Sequence, residues 1–369
     1  MERMRAMDFA GKKAVVIGGG GGIGREIVFG LARAGASVLV GDVDEVAGAE
    51  TARAAAMAGH VEAVHCDIGD DASVDAIADA AFARMGRVDL LFNHAGASLG
   101  GLLEQVTSDD WHWLLNLNVV GLGRSVRAFL PRMTEQGGGW IVNTASGLGL
   151  FHDMPAAAPY IATKAAIVAY SRALAVYARN RRVGVSVFCP DITATGFVSS
   201  GRLVGIPPEI AAMGMPTERV QQPHDAAVAL LEGLKDERFL ISLVPDTQAR
   251  LEAMATGSLA PGTDDLASAH PIVQRGSVRM PEAKRAEIVA LCREYGDRFR
   301  GHDGCIAYET GISLEDPALV TVLEVWRDRT SLDAHAFTRE GLAFVTRLLA
   351  LGATDLMVEP LPVGDRTAA

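Results

Sequence analysis

The sequence predicts two consecutive domains: a larger α/β domain with a doubly wound parallel sheet, and a smaller α+β domain. Three observations lead to this fold class. Apolar β-rich runs alternate with helical stretches up to about residue 245, a segment rich in Ala, Gly and Ser follows, and the remainder returns to strands in another order. The chain length of 369 residues also exceeds the roughly 250–300 residues at which a single core stops growing.

Seven short runs in the first part are predicted strands, because most are almost continuously apolar, as strands buried on both faces are. In chain order they are Lys13–Gly18, Ser37–Asp42, Val61–Cys66, Val88–Phe92, Trp140–Thr144, Val183–Cys189 and Phe239–Val244. Helical spacing between them, as in Ile23–Ala34 and Tyr160–Asn180, predicts right-handed βαβ units and a Rossmann-type sheet. Thr193–Gln222 interrupts this alternation and is predicted to be a substrate lid.

The composition changes again at residues 255–270, which are predicted to be a linker between domains at 1–254 and 271–363. Beyond the linker the predicted elements follow the order strand, helix, strand, strand, helix, strand, which is the ferredoxin-like order. They are Ile272–Met280, Pro281–Asp297, Cys305–Ile312, Leu319–Trp326, Ser331–Leu351 and Asp355–Pro360.

Charge and composition exclude several classes of partner. The net charge is −11, and the absence of a basic run argues against nucleic acid and against an anionic membrane surface. No apolar run reaches the roughly 18 residues of a membrane span, and the N-terminus lacks the apolar core of a signal peptide. Four cysteines without CxxC spacing indicate reduced thiols. A cytoplasmic protein that acts on a small molecule, without a metal site, is expected.

The first predicted strand runs directly into the glycine-rich stretch Gly18–Gly24, and a helix follows. Small residues there let the backbone approach a pyrophosphate, and the helix N-terminus offers free N–H groups to it. Asp42 ends the next predicted strand, where a carboxylate accepts hydrogen bonds from ribose hydroxyls and repels a 2′-phosphate. The sequence therefore predicts NAD as cofactor rather than NADP.

A second cluster has the residue types of an acid/base site. Tyr160 and Lys164 lie four residues apart in a predicted helix and share one face. A nearby ammonium stabilises a phenolate and lowers the pKa of the phenol. Ser146 follows a predicted strand, which puts its hydroxyl at the carboxyl edge of the sheet, where open α/β sheets bind ligands.

With these motifs in this order, most of the first domain resembles the short-chain dehydrogenase/reductase family. The matching pieces are Gly18–Gly24, Asp42, Cys66–Ile68, Asn93–Gly96, Asn118, Asn143–Ser146, Tyr160 with Lys164, and Pro190 with Thr195. The resemblance implies that Tyr160 exchanges a proton with the substrate oxygen and that Ser146 hydrogen-bonds that oxygen. Lys164 would lower the Tyr160 pKa and hold the nicotinamide ribose, and Asn118 would anchor a water that relays the proton.

The resemblance also implies two sets of contact residues. The set expected around NAD is Gly18, Gly21, Gly22, Ile23, Gly24, Asp42, Val43, Asp67, Ile68, Asn93, Ala95, Gly96, Tyr160, Lys164, Pro190, Ile192 and Thr195. The set expected around the substrate is Leu148, His152, Met154 and Phe197. The second set is largely apolar, which favours a hydrophobic secondary alcohol or its ketone, with cyclic and aromatic compounds included.

Three residues depart from the family pattern. Ile17 stands where the family usually has Thr, so a hydroxyl that ties down the glycine loop is lost. His94 replaces an Asn and is interpreted as a buried histidine satisfied by backbone. Asp191 replaces a Gly; aspartate tolerates left-handed backbone, and an inward carboxylate there would favour the oxidised nicotinamide.

The second domain resembles the antibiotic biosynthesis monooxygenase-like family, whose members form dimeric α+β barrels. The matching stretches are Met280–Pro281, Gly304–Glu309, Glu324–Trp326, Ser331–His335 and Val358–Val363. The resemblance makes Tyr308, Glu324, Trp326 and His335 candidates for a second pocket or for ordinary core, with His335 expected to orient Glu324. Haem is disfavoured, because Gly341–Arg347 contains no histidine.

Three functions stay open at this point. The first is an NAD-dependent alcohol dehydrogenase or ketone reductase whose second domain serves dimerisation or substrate handling. The second is a bifunctional protein in which the second domain is a cofactor-independent quinol monooxygenase. The third is a non-catalytic scaffold protein. A homo-oligomer, dimer or tetramer, is expected from both resemblances, with Trp111–Met133 and Tyr160–Asn180 as the pairing helices of the first domain.

Overall fold

The structure is a computed structural model that describes residues 7–151, 154–197, 201–206, 220–256, 271–328, 331–332, 335 and 338–361. Its elements form two compact units. The strands of the first unit are β1 (Lys13–Ile17), β2 (Ser37–Asp42), β3 (Val61–His65), β4 (Leu90–Asn93), β5 (Leu99–Gly101), β6 (Gly139–Thr144), β7 (Val183–Cys189), β8 (Arg202–Val204) and β9 (Leu240–Ser242). Its helices are α1 (Gly22–Arg33), α2 (Glu45–Ala55), α3 (Asp71–Met85), α4 (Ser108–Leu115), α5 (Gly121–Glu135), α6 (Ala158–Ala178), α7 (Pro223–Lys235) and α8 (Thr247–Thr256).

Seven of these strands form one parallel sheet in the order β3-β2-β1-β4-β6-β7-β9, which confirms the predicted doubly wound, Rossmann-type fold. Apolar side chains cover both faces of the sheet. One face packs against α3, α5 and α6, where Ile77 and Phe129 are fully buried, and the other packs against α1 and α7, where Ile27 and Leu230 are fully buried. Because helices cover both faces and exclude water from them, the strands carry the continuous apolar runs from which they were predicted.

A short two-stranded ladder beside the sheet was not predicted. β5 pairs with β8 in parallel, from Leu99 opposite Arg202 to Gly101 opposite Val204. Gly101 has φ +144°, and a Cβ there would lie 2.1 Å from the Val204 carbonyl oxygen, so this approach requires glycine. Each strand has only three residues, which is too short for a periodic signal. The ladder ties the segment at 201–204, inside the predicted lid, to the carboxyl edge of the sheet.

The stretch predicted as one long helix, Trp111–Met133, is interrupted. A π-helical segment, Asn116–Val120, separates α4 from α5. π-segments widen the helix by one residue per turn and often occur at functional sites. Asn118 lies in this segment and is buried, so the irregularity coincides with a residue that the sequence assigned to catalysis.

The second unit contains β10 (Ile272–Arg279), α9 (Arg285–Phe299), β11 (Cys305–Ile312), β12 (Leu319–Trp326), α10 (Arg339–Ala350) and β13 (Thr354–Pro360). The strands form an antiparallel sheet in the order β11-β12-β10-β13, which confirms the ferredoxin-like fold. Its core lies between the helices and one sheet face, with Phe299 and Trp326 fully buried. Among the described helices of either unit, none has the length and apolarity that a membrane crossing needs.

Candidate active site

The site residues gather where four neighbouring parallel strands end. β1, β4, β6 and β7 are adjacent in the sheet, so the loops that follow them meet at one edge. The glycine loop follows β1, Asn93 ends β4 with Gly96 three residues later, Ser146 follows β6, and Pro190 follows β7. α6 brings Tyr160 and Lys164 to the same edge.

The glycine loop forms a tight cradle that side chains would fill. A Cβ on Gly18 would lie 2.5 Å from the Ala95 nitrogen, and a Cβ on Gly24 would lie 2.0 Å from the Gly18 oxygen. At Gly21 no atom lies within 4 Å of an added Cβ, so that side of the loop is open. A bare backbone that is closed against the sheet and open outward, at the start of α1, fits the pyrophosphate of a dinucleotide.

Two side chains hold this loop. Asp42 Oδ2 accepts a hydrogen bond from the Gly20 nitrogen at 2.7 Å, and the Thr51 hydroxyl donates to the Gly20 oxygen at 3.0 Å. Ile17, where the family usually has Thr, is fully buried in the core. Thr51 on α2 therefore supplies a tether from elsewhere. Sequence reasoning missed it; the available signal was a hydroxyl on the buried face of a helix.

The residues expected around the adenosine end lie on neighbouring turns. The other oxygen of Asp42 accepts from the Asp44 nitrogen at 3.0 Å, so the carboxylate is fixed at the end of β2. Val43 is 63% exposed. Asp67 accepts from the Gly69 nitrogen at 2.7 Å, and Ile68 is buried. Asp42, Asp44 and the adjacent Glu45 make this corner acidic.

Tyr160, Ser146 and Lys164 form the centre of the site. The Ser146 side chain lies close enough to the Tyr160 phenol to lower its pKa. The Lys164 ammonium lies 5.5 Å from the Tyr160 ring centre and donates to the Thr144 carbonyl at 3.1 Å. The Ser146 hydroxyl also accepts from the Leu148 nitrogen at 3.2 Å. A hydroxyl pair with a buried ammonium behind it can bind and protonate a substrate oxygen.

Burial dominates the titration of this centre. It raises the pKa of the Tyr160 phenol well above its usual range, and the Ser146 side chain offsets only part of that rise. Burial also lowers the pKa of Lys164 to about 8. The resemblance implies that Lys164 lowers the Tyr160 pKa, whereas in this geometry the desolvation of the phenol is the larger effect. Tyr160 is accordingly protonated at neutral pH.

Asn118 braces the site from the π-helical segment. Its Oδ1 accepts from the Ala97 nitrogen at 2.7 Å, and its Nδ2 donates to the Ala97 oxygen and to Thr163 Oγ1, both at 2.9 Å. The Thr163 hydroxyl donates in turn to the Tyr160 carbonyl at 2.8 Å. Both amide protons of Asn118 are thus used on protein atoms that join the β4–β5 connection to α6.

The side chain of Asn93 belongs to a buried polar network. It donates to Asn143 Oδ1 at 2.9 Å and accepts from the Ser125 hydroxyl at 2.6 Å, while Asn143 donates to Ser171 Oγ at 3.0 Å. The sequence interpretation put Asn93 along the cofactor edge. Its side chain links β4 and β6 to α5 and α6 beneath that edge.

His94 and Asp191 are the two remaining departures from the family pattern. His94 is partly buried, and its Nδ1 pairs with the Thr144 hydroxyl at 3.1 Å rather than with backbone as expected. Burial and the Lys164 charge lower the pKa of His94 to about 4, so it is neutral. Asp191 is not among the described residues with positive φ, and its carboxylate accepts from the Ile192 nitrogen at 2.9 Å.

The other predicted contact residues surround this centre. A Cβ on Gly96 would lie 3.4 Å from Lys164 Nζ, and one on Gly22 would lie 3.0 Å from the Thr195 methyl group. Pro190 and Ile192 accept backbone hydrogen bonds from Gly147 and Gln221, both at 2.8 Å.

The predicted substrate residues are partly placed. The Phe197 ring lies 5.8 Å from the Tyr160 ring, centre to centre. Leu148 and Met154 are partly buried, and His152 lies outside the described residues.

The four candidates of the second unit come together, with one correction. Glu324 accepts from Trp326 Nε1 and from Gln274 Nε2, both at 3.0 Å, and Tyr308 is its cross-strand neighbour. His335 does not orient Glu324 as expected; it stacks on Trp326 and pairs with His302. Sequence reasoning missed His302. No group of three metal-ligating side chains occurs among the residues that the structure describes.

Comparisons with known proteins agree with this arrangement. Residues 12–202 match the family model "short chain dehydrogenase", and residues 271–347 match "Antibiotic biosynthesis monooxygenase". A 1-deoxy-11-beta-hydroxypentalenate dehydrogenase of Streptomyces avermitilis is 35% identical over 64% of this chain and 86% of its own length. A 2,5-dichloro-2,5-cyclohexadiene-1,4-diol dehydrogenase of Sphingobium indicum is 31% identical over 64% of this chain and 94% of its own.

A solved structure extends the likeness to three dimensions. A short chain dehydrogenase/reductase from Burkholderia phymatum, crystallised in complex with NAD, superposes with a TM-score of 0.59 at 34% identity. The match covers 68% of this chain and 94% of that one.

Proposed function

The chain belongs to the short chain dehydrogenase family, and from this premise we propose that it is an NAD-dependent oxidoreductase that interconverts a hydrophobic secondary alcohol and its ketone. The observation that supports the proposal most is the grouping of Tyr160 and Ser146 with the Lys164 ammonium, which lies 5.5 Å from the centre of the phenol ring. It lies at the sheet edge that also carries the glycine cradle, so the proton-transfer groups and the cofactor loop are neighbours.

In the proposed mechanism Tyr160 is the general acid and base. Ser146 and Tyr160 would both hydrogen-bond the substrate oxygen, and Ser146 would stabilise the negative charge that develops there. When NAD is bound, its nicotinamide would supply or accept the hydride. In the reducing direction Tyr160 gives its proton to the substrate oxygen, and in the oxidising direction it takes that proton back.

Lys164 and Asn118 support this proton transfer. The Lys164 ammonium would stabilise the phenolate that remains once Tyr160 has given up its proton. Asn118 holds the Tyr160 end of α6 through Thr163. Because both amide protons of Asn118 are used on protein atoms, the proposed proton-relay water would donate to an oxygen of Asn118.

The preference for NAD rests on Asp42. Its carboxylate lies at the end of β2, fixed by two backbone N–H groups, and Asp44 and Glu45 follow it. A 2′-phosphate in this corner would meet several negative charges, whereas ribose hydroxyls would meet hydrogen-bond acceptors. The relative from Burkholderia phymatum, which was solved in complex with NAD, supports the same choice.

The substrate class rests on the apolar side chains around Tyr160. Phe197 packs against the Tyr160 ring, and Leu148, two residues after Ser146, donates its backbone N–H to the Ser146 hydroxyl. The names of the relatives that act on a cyclohexadiene diol and on a hydroxypentalenate support a cyclic hydrophobic alcohol. A panel of such alcohols, assayed with NAD⁺ and with NADP⁺ by the absorbance of the reduced nicotinamide, tests the proposal.

For the second unit, which we take as a separate domain at 271–363, we propose substrate handling in addition to dimerisation. A unit that served dimerisation alone would need no polar interior. Here Glu324 is buried, which raises its pKa, and it is held by Trp326 and Gln274. Buried ionisable groups held by specific partners are typical of functional sites. Oxygen uptake by the full chain in the presence of a quinol would favour the monooxygenase alternative.

A further inference from the structure

The short strand β8 of the first unit is held on the connection that follows β4. It pairs with β5 in parallel. The Arg202 nitrogen donates to the Ser98 carbonyl at 3.0 Å, and the Leu102 nitrogen donates to the Val204 carbonyl at 2.9 Å. Backbone hydrogen bonds therefore join both ends of β8 to that connection.

The two strands approach each other so closely that glycine is needed on both of them. A Cβ on Gly201, directly before β8, would lie 2.7 Å from the Ser98 carbonyl oxygen, and one on Gly101 would lie 2.1 Å from the Val204 carbonyl oxygen. This contact fixes the register of the ladder, but each strand has only three residues. Because isolated two-stranded ladders are marginally stable in water, side-chain contacts outside the ladder contribute strongly to its stability.

The Arg202 side chain makes two such contacts, both with α4. Its Nη1 lies 3.0 Å from Asp110 Oδ1, and its guanidinium carbon lies 4.0 Å from the ring centre of Trp113. Hydrogen bonds from Thr107 and the Arg202 charge lower the pKa of Asp110, so an ionised carboxylate faces the guanidinium at neutral pH. A planar guanidinium can stack on an aromatic ring and hydrogen-bond a carboxylate at the same time.

Ser98 connects this ladder with the candidate active site. Its carbonyl accepts from the Arg202 nitrogen, and its hydroxyl donates to the Phe197 carbonyl at 3.2 Å. The Phe197 ring lies 5.8 Å from the Tyr160 ring, centre to centre. The residue that packs on the Tyr160 phenol is thus held by the same connection that holds β8.

We propose that Arg202 is a positioning residue of the substrate pocket: its contacts with α4 hold β8 on β5 and thereby keep Phe197 against Tyr160. This role deepens the dehydrogenase activity proposed above and rests on it. In that activity the substrate oxygen meets Tyr160, so the Phe197 ring would lie beside the carbon skeleton next to the reacting carbon. An apolar ring fixed there favours substrates with a hydrocarbon ring over small open-chain alcohols, because they bury more apolar surface against it.

Hydrogen–deuterium exchange of the full chain tests the clamp without any substrate. Arg202→Met keeps most of the aliphatic side chain and removes the guanidinium. The backbone amides of Arg202 and Leu102 should then exchange about three- to tenfold faster, because an exposed ion pair and a cation–π contact each contribute up to about fivefold. Arg202→Lys keeps the charge that faces Asp110 and should recover part of the protection. Unchanged exchange of both amides in Arg202→Met overturns the proposal.

Arg132 on α5 offers a matched control, because it has the same two kinds of contact away from β8. Its Nη1 lies 2.8 Å from Asp79 Oδ1, and its guanidinium carbon lies 4.0 Å from the ring centre of Phe82. Arg132→Met therefore removes one charge, one ion pair and one cation–π contact, and it should leave the exchange of the two ladder amides unchanged. Equal acceleration in Arg132→Met and Arg202→Met would indicate a general loss of stability and would overturn the assignment to Arg202.

Steady-state kinetics with cyclohexanol and 2-butanol test the consequence for the substrate. Arg202→Met should raise KM for cyclohexanol by about three- to tenfold, in step with the exchange rates, and leave kcat within about twofold. KM for 2-butanol should change less, and Arg202→Lys should recover part of the loss. A merely destabilised enzyme would instead lose kcat for both alcohols by the same factor, and that result, or equal changes in KM, overturns the proposal. If the parent protein oxidises neither alcohol, the proposed function is contradicted, while the exchange rates still decide whether Arg202 holds β8.

Discussion

Asp42 Oδ2 accepts the Gly20 N–H at 2.7 Å, so the carboxylate proposed to bind the adenosine ribose also holds the glycine loop. Recognition of the nucleotide and the shape of its phosphate cradle are therefore coupled through one side chain. A change at Asp42 therefore alters both nucleotide recognition and the shape of the glycine loop. Comparing the binding of NADH with that of NADPH separates these two effects.

Asp42→Ala should weaken NADH binding by about tenfold or more, because hydrogen bonds to a charged group contribute roughly 1.5–3 kcal/mol. It should also narrow the preference for NADH over NADPH, since the charge that repels the 2′-phosphate is gone. Fluorescence titration of the two reduced nucleotides measures both effects. Asp70→Ala is the control, because Asp70 accepts a backbone N–H from Ser73 at the start of α3. A preference unchanged by Asp42→Ala would contradict the account.

Thr51→Val should weaken NADH binding by about two- to tenfold, the equivalent of one neutral hydrogen bond of roughly 0.5–1.5 kcal/mol. The valine keeps the side-chain shape but leaves the Gly20 oxygen without the Thr51 hydroxyl. Thr51→Ser keeps the hydroxyl and should restore most of the affinity. Equal dissociation constants for the parent protein and Thr51→Val would show that the tether is dispensable.

The rate of alcohol oxidation should rise with pH through the neutral range. Burial keeps Tyr160 protonated there, and oxidation needs the phenolate, so the reactive fraction grows by about tenfold per pH unit while the phenol stays mostly protonated. Ketone reduction needs the protonated phenol and should not rise in the same way. Initial rates of kcat/KM in both directions measure this. Parallel pH profiles for oxidation and reduction would argue against Tyr160 as acid and base.

His94→Phe should lower kcat by about two- to tenfold and leave NADH affinity nearly unchanged. The phenyl ring would occupy the space beside Gly24 in which the imidazole lies. It would lose the hydrogen bond to Thr144, whose carbonyl accepts from Lys164. His94→Asn, the usual family residue, is the comparison and should recover part of kcat. A loss confined to NADH affinity would assign His94 to the loop instead of to Lys164.

The chain should be a dimer or tetramer in solution at micromolar concentration. Val176 and Tyr177 on α6 are 71% and 57% exposed, which is unusual for large apolar side chains and fits a helix that pairs with its copy. Light scattering measures the mass. Val176→Asp should lower it by at least half, and a monomeric parent protein would refute the expectation.

The sequence was sufficient wherever local pattern and tertiary structure agree. The strands Ser37–Asp42 and Val183–Cys189 were predicted to the residue, because both lie inside the sheet and are apolar on both faces. The glycine loop and the Tyr160–Lys164 spacing were readable because each is contiguous in the chain.

The features of the site that could not be predicted from the sequence depend on contacts between distant segments. Thr51 reaches Gly20 across 31 residues, and His302 reaches His335 across 33, so neither pairing has a local signature. The direction in which the Tyr160 pKa is shifted could not be predicted from the sequence either. The shift depends on how much of the surrounding chain desolvates the phenol. The four-residue spacing between Tyr160 and Lys164 gives no information about that desolvation.

The most direct test of the central claim is turnover of a hydrophobic cyclic alcohol, followed by the absorbance of reduced nicotinamide, in the parent protein and in Tyr160→Phe. If the claim is right, the parent protein reduces NAD⁺, reduces NADP⁺ much more slowly, and loses turnover in Tyr160→Phe while NADH binding is retained. Turnover by Tyr160→Phe at the parent rate would contradict it.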